Sequence, residues 1–280
     1  MRLVIILGPY RNLTTLTAAV LALHPHCQVL NHASVRLLPD RSLNFLRTPD
    51  NATYERFLAA AKDLSAEGRR GGYGGSILYS HAFEDARFRD LYHGRYGDLM
   101  VKPDATHLVW KDSMQVQRLL MERDRLFGRL CSRFPEMKFV LPMRDPLDCA
   151  VSNLKRPDWK ASLGLGRQAG VKEALQAVLD AFRWVLDRRD QWPDRVFAFT
   201  QNDDPGDLFV SLAAFLGLAA DERWLSDCAA AFVVHKRYRH RLALLSYARA
   251  QMSAQLGRWP NELFALMAEP GAPSCADPDA

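Results

Sequence analysis

Arg144 follows the apolar run "KFVLPM" (138–143), and Ser152 comes eight residues later in "RDPLDCAVS". A guanidinium at a strand end and a hydroxyl on the next helix can grip one phosphate from two directions, the arginine as a fork and the serine as a short donor. A second anion site is written near the N-terminus. The apolar run "RLVIIL" (2–7) ends in Gly8, and "PYRNLTT" leads into a helical pattern that begins near Thr14. Free backbone N–H groups and the helix dipole at such a start favour a phosphate. The cation of this turn is Arg11.

Both elements need a scaffold that brings strand ends together. Besides 2–7 and 138–143, short apolar runs occur at "CQVL" (27–30), "THLVWK" (106–111) and "RVFAFT" (195–200). Such runs fit strands buried on both faces. Helical patterns lie between them. Leu13, Leu16, Val20 and Leu23 share one face. Val171, Leu175, Val178, Leu179, Phe182, Val185 and Leu186 form a wide stripe, and Leu208, Leu212, Phe215 and Leu216 another that Gly217 closes. Asp145 can cap a helix whose first residue is Pro146. The pattern predicts a three-layer α/β fold, with a central, mainly parallel sheet of about five strands flanked by helices. Residues 1–268 form one domain in this reading. The glycine-rich stretch 65–98 is a surface insertion, an acceptor-site lid, and 269–280 are a flexible tail.

The phosphate loop is not that of a kinase. Laid on the Walker A frame GxxxxGK[ST], Gly8 and Thr15 fit, but Leu13 stands for glycine and Thr14 for lysine. "RNLTT" (11–15) instead resembles the loop of sulfotransferases that use 3′-phosphoadenosine 5′-phosphosulfate (PAPS), whose fold is similar to that of P-loop nucleotide kinases. Arg144, Asp145, Pro146, Asp148 and Ser152 match the family's R-[DN]-P-x-[DE]-x-x-x-S element in full. "RVFAFTQNDDPGDLFVSLAAFLGL" (195–218) is similar to a late strand–turn–helix of the family, without its Tyr-Glu-Asp turn. The resemblance implies that Arg11 contacts the 5′-phosphate and the transferring sulfuryl group. Asn12, Leu13, Thr14 and Thr15 would line the 5′-phosphate, Arg144 and Ser152 the 3′-phosphate. Arg237 and Arg239, in the basic run 233–249, would close over the latter. Leu13 departs from the usual glycine.

Sulfuryl transfer needs charge neutralisation and a proton acceptor. Lys111, at the end of a predicted strand, resembles the family's strand-end lysine, though a surface lysine has the same signature. The family's glutamate and histidine bases are replaced here by Ser34 and Ser113. His32 is the nearest replacement and His81 the second. No metal is expected; the histidines and cysteine at 24–32 match no closed zinc site.

The net charge of +5, from 37 basic and 32 acidic residues, suits an anionic small ligand and is too mild to argue for nucleic acid. Five scattered cysteines without a CxxC pair predict reduced thiols and a cytoplasmic protein. No run is long enough to span a bilayer. The sequence therefore predicts a PAPS-dependent sulfotransferase acting on a hydroxyl or amine of a carbohydrate, lipid or small metabolite. A P-loop kinase and a non-catalytic nucleotide-binding protein are the alternatives.

Overall fold

Residues on β1 (Arg2–Ile6) feed two separate cores in alternation, as the two-residue period of a strand requires. The computed structural model describes residues 1–70, 72, 74–123, 125–234, 238 and 240–256. Leu3 and Ile5 enter one apolar cluster, and Val4 and Ile6 the other. The remaining strands are β2 (Cys27–Asn31), β3 (Gly75–Ser76), β4 (His107–Lys111), β5 (Lys138–Met143) and β6 (Val196–Thr200). They form one sheet in the order β3-β2-β4-β1-β5-β6. All neighbours are parallel except β3, which pairs antiparallel with β2.

Helices cover both faces. In chain order they are α1 (Thr14–Ala22), α2 (Ser34–Leu37), α3 (Asn51–Leu64), α4 (Ala86–Tyr96), α5 (Met114–Met121), α6 (Leu126–Arg133), α7 (Pro146–Asn153), α8 (Pro157–Ser162), α9 (Val171–Gln191), α10 (Pro205–Leu216), α11 (Glu222–Ala231) and α12 (Leu242–Leu256). Side chains of α3, α5, α6, α7, α9 and α12 fill the core under Leu3 and Ile5. Those of α1, α4, α10 and α11 fill the core under Val4 and Ile6. This is the three-layer α/β architecture with a mainly parallel sheet. The α9 stripe is buried from Leu175 to Leu186, and Gly217 ends α10 in the left-handed region at φ 70°.

Two local expectations change. The α1 helix does not show one apolar face, because Thr14, Thr15 and Thr17 to Ala22 are all buried. It lies between the sheet and α11, so its small residues are enclosed on every side. The stretch 65–98 is not a surface insertion throughout. It supplies β3 and α4, and Phe83, Phe88 and Tyr92 belong to the core. The two-residue β3 escaped the sequence pattern because it lies among glycines. Gly75 is required there, since at φ 139° a Cβ would run into the Glu67 carbonyl oxygen. Among the described residues no helix is long and apolar enough to cross a membrane. Cys27, Cys131, Cys149 and Cys228 are buried free thiols.

The C-terminal end of α1 is held by a buried lysine. Lys102 donates from Nζ to the carbonyls of Ala22, His24 and Cys27, the last two at 2.9 Å. Its ammonium also sits 4.4 Å from the Tyr96 ring centre and 5.5 Å from that of Tyr92. One side chain thus joins the last α1 carbonyl to carbonyls of the turn and of the first β2 residue. Lys102→Ala should lower stability by about 3 kcal/mol, because those buried acceptors lose their donor. Lys102→Met, which keeps the stem, should recover only a minor part. Urea unfolding measures both, and losses under about 1 kcal/mol would mean the cap is energetically slight.

Candidate functional site

The carboxyl ends of four parallel strands converge at one place, where open α/β sheets leave a crevice. β1 runs into the turn 8–13. β2 runs into His32, β4 into Asp112 and Ser113, and β5 into Arg144. The register fixes their neighbours. Lys111, the last residue of β4, lies opposite Ile6 of β1 and Asn31 of β2.

The turn after β1 has Gly8 at φ 122° and both Arg11 and Leu13 at φ 61°. Left-handed residues in a turn point backbone N–H groups into a common concavity, which binds anions. Leu13 also stands at the N-cap of α1 and supplies no side-chain cap. Five other helices, α3, α4, α7, α10 and α11, have aspartate side chains on their first amides. The first α1 amides, which have no side-chain cap, begin at Thr14 and Thr15 on the cavity wall. Leu13 is thus the feature the sequence made odd, and it adopts the backbone conformation that glycine would take.

Asn12 does not face the cavity. Its side chain is fully buried and reaches across to the end of β5, donating to the Pro142 carbonyl and accepting the Arg144 amide at 2.9 Å. From α7, Asn153 Nδ2 donates to the Tyr10 carbonyl at 2.7 Å. The turn after β1 and the β5–α7 junction are thereby one structural unit. Sequence reasoning missed Asn153 and this use of Asn12, whose only signal was an amide flanking each motif.

Asp145 caps α7 through the amides of Leu147 and Asp148, with Pro146 at the first helical position. Arg144 forms a buried ion pair with Asp148 at 3.0 Å. Asp148 also accepts the Tyr238 amide at 3.1 Å and contacts His240 at 2.8 Å. Arg11 Nε donates to Ser152 Oγ at 3.1 Å, and its guanidinium lies 5.2 Å from the Trp159 ring centre. Burial first, and the Arg144 charge second, push the Arg11 guanidinium below its ordinary value. Arg237 and Arg239 fall outside the described residues.

On the other side of the turn, Thr14 Oγ1 and Ser113 Oγ are 2.9 Å apart. Lys111 Nζ lies 2.7 Å from His32 Nε2, and His32 Nδ1 lies 3.3 Å from Asp112 Oδ1. Asp112 Oδ2 accepts the Ser34 amide at 2.6 Å and the Trp110 indole N–H at 3.1 Å. Burial lowers Lys111 to about 7. Burial, then the Lys111 charge, lowers His32 as well. His81 is brought to about 4 by burial and by the charges of Lys111 and Arg11.

These groups surround one cavity of about 450 Å³. Arg11, Leu13, Thr14, Thr15, Arg144, His32 and Lys111 line it, as do His81 and Trp159. Asn12 and Ser152 do not line it; Ser152 is buried at the Arg11 side chain. The volume is within the range of nucleotide and small-ligand sites.

Three solved structures similar to this chain are sulfotransferases. One from Mycobacterium avium has a TM-score of 0.47 and 16% identity, covering 90% of this chain and 76% of its own. The sulfotransferase domain from the curacin biosynthetic pathway has a TM-score of 0.47 and 14% identity, covering 91% and 96%. A sulfotransferase from Alicyclobacillus acidocaldarius has a TM-score of 0.43 and 18% identity, covering 94% of each chain. No protein-family model and no curated protein matches the sequence.

Two outcomes follow from the geometry. Glycine tolerates φ 61° and alanine does not, so Leu13→Gly should be more stable than Leu13→Ala by about 1 kcal/mol, read by urea unfolding. The reverse order would mean the turn relaxes out of the left-handed region. Lys111 binds its proton more weakly when folded, at about 7 against an ordinary 10.5. The unfolded chain therefore holds the extra proton between those values. The destabilisation is full below about 7 and fades as pH rises toward 10.5. Lys111→Met should flatten the rise in stability between pH 7 and 9, leaving the part due to Lys102, which burial also lowers to about 7.

Proposed function

We propose that the cavity binds PAPS and that the protein is a sulfotransferase, moving the sulfuryl group to a hydroxyl or amine of a carbohydrate, lipid or small metabolite. The observation that carries this reading is the convergence of Arg11 and Arg144 on one cavity at the uncapped start of α1. The two guanidiniums come from sequence positions 133 residues apart, and like charges on one cavity repel; burial first, and the Arg144 charge second, lower Arg11. A bound polyanion relieves that repulsion. The hydroxyls of Thr14 and Thr15 add neutral donors beside Arg11, whose Nε–H is accepted by Ser152 Oγ. That donor set suits two separate phosphate groups and fits the nucleotide.

When bound, PAPS supplies an activated sulfuryl group, so the protein's work is placement and charge neutralisation. Arg11 and the amides at the start of α1 hold the 5′-phosphate end. Arg144, oriented by Asp148, holds the 3′-phosphate, Ser152 positions Arg11 from behind the cavity wall, and Asn12 fixes the spacing between the two elements. Thr14 is oriented by Ser113. Lys111 borders the place where the sulfuryl group moves. Tyr79, His81 and Trp159 border the remaining wall, which supports 65–98 and α8 as the acceptor side.

Calorimetry with adenosine 3′,5′-bisphosphate tests the reading. The wild-type protein should bind it more tightly than ATP with magnesium. Arg144→Lys keeps the charge beside Asp148 but loses the fork, and should weaken binding roughly tenfold to a hundredfold. Ser152→Ala should cost roughly tenfold. Preference for ATP with magnesium would instead favour a kinase, and unchanged binding in both variants would remove the assignment.

A further inference from the structure

The group best placed to remove a proton is not the histidine that the sequence singles out. Both ring nitrogens of His32 are engaged, Nδ1 by Asp112 and Nε2 by Lys111. Asp112 is fixed on its other oxygen by the Ser34 amide and the Trp110 indole. A carboxylate only accepts, so the imidazole carries its proton on Nδ1 and presents the Nε2 lone pair to Lys111. Lys111 borders the cavity while its stem is buried.

We infer that Asp112, His32 and Lys111 form a relay in which the Lys111 amine takes the acceptor's proton, His32 positions that amine, and Asp112 positions His32. The inference rests on the sulfotransferase reading and assigns its base. In the deprotonated state, Lys111 Nζ donates one N–H to His32 Nε2 and keeps its lone pair for the cavity. The acceptor O–H proton moves to that lone pair. The acceptor oxygen bonds to sulfur, the bond from sulfur to the leaving phosphate oxygen breaks, and that oxygen keeps the electron pair. The new ammonium then donates to Nε2, and the Asp112 carboxylate balances its charge through the ring. Lys111 and Asp112 are the assignments; His32 changes from base to positioning residue.

The surroundings favour an amine that gives up its proton near neutral pH. Burial lowers Lys111 to about 7, and Asp112 acts in the opposite direction. Arg11 and Tyr10 from the first turn, His81 and Glu84 from the segment before α4, Arg144 just after β5, and the paired Arg156 and Asp158 at the start of α8 also line the cavity around it. Of these, His81 responds to the Lys111 charge.

Nuclear magnetic resonance on the full-length protein, labelled at lysine and histidine, tests the relay without an acceptor. Lys111→Arg identifies the Lys111 signals. The wild-type Lys111 Cε and Nζ shifts should titrate near neutrality, and His32 should show the Nδ1–H tautomer. Asp112→Asn removes the balancing charge and should lower the Lys111 midpoint by about one pH unit. A Lys111 midpoint above 9, or an Nε2–H tautomer at His32 in the wild type, would overturn the inference whatever the variant does. Calorimetry with adenosine 3′,5′-bisphosphate on the same samples separates the two readings. Absent binding beside an intact Lys111 titration overturns the nucleotide assignment and leaves the proton geometry supported.

Discussion

Asn12 binds two backbone groups that lie 130 and 132 residues away, and the rest of the site depends on that bridge. Its amide donates to the carbonyl of Pro142 and accepts the N–H of Arg144, so the turn after β1 cannot move without the end of β5. With the side chain removed, two buried backbone groups would lose partners, at about 1–3 kcal/mol each. The same bridge explains Gly8. A Cβ at Gly8 would stand 2.6 Å from Asn12 Nδ2, so the amide occupies the space a side chain would need. Asn153 and Cys149 add contacts from α7 to the Tyr10 carbonyl. Sheet register sets the coarse distance between the motifs, and these amides set the fine one.

With the elements locked, electrostatics decides what the cavity accepts. Arg144 has a carboxylate partner in Asp148, yet that carboxylate also serves the Tyr238 amide and His240. Arg11 is bonded to a neutral hydroxyl and stacked near an aromatic face. Asp145, pushed up to about 6 by burial and by Asp148, spends its Oδ1 on two α7 amides. At the mouth, Glu84 pairs with Arg70 and Asp158 with Arg156. Positive charge therefore exceeds negative charge around Arg11, and burying that excess costs stability.

The sheet was legible in the sequence because buried parallel strands read as continuous apolar runs, and all five parallel strands lie where those runs lie. The Asp-Pro start of α7 and the glycine end of α10 were legible because caps are local. The helix α1 was misread as one-sided because alanine and threonine give no periodic contrast, and tertiary enclosure decides their burial. Asp112 was overlooked for a related reason. Its partners are Ser34, Trp110 and His32, and only the pairing of β2 with β4 brings two of these to it. Leu13 was legible as an anomaly but not as a conformation, since residue type alone does not announce a positive φ.

The backbone strain of the molecule shows why these contacts are so dense. Four non-glycine residues have positive φ among the described residues, Arg11, Leu13, His32 and Ser113, and all four follow strand ends of the site. Each such conformation costs about 1–2 kcal/mol in isolation. A chain left to itself would relax them. Each is held by a bond that relaxation would break or weaken. Arg11 and Leu13 flank the Asn12 bridge, the His32 amide donates to the Lys111 carbonyl, and Ser113 is bonded to Thr14. Among the described residues this non-glycine strain falls on three residues that line the cavity, Arg11, Leu13 and His32, and on Ser113, which is bonded to the cavity residue Thr14. A site that must present amides, two guanidiniums and an amine at fixed separations gains from this arrangement, because the groups need not reorganise when charge shifts between them. Asn12, Asp112 and the strand register are thus the physical source of the site's geometry, and its chemistry follows from how firmly they hold it.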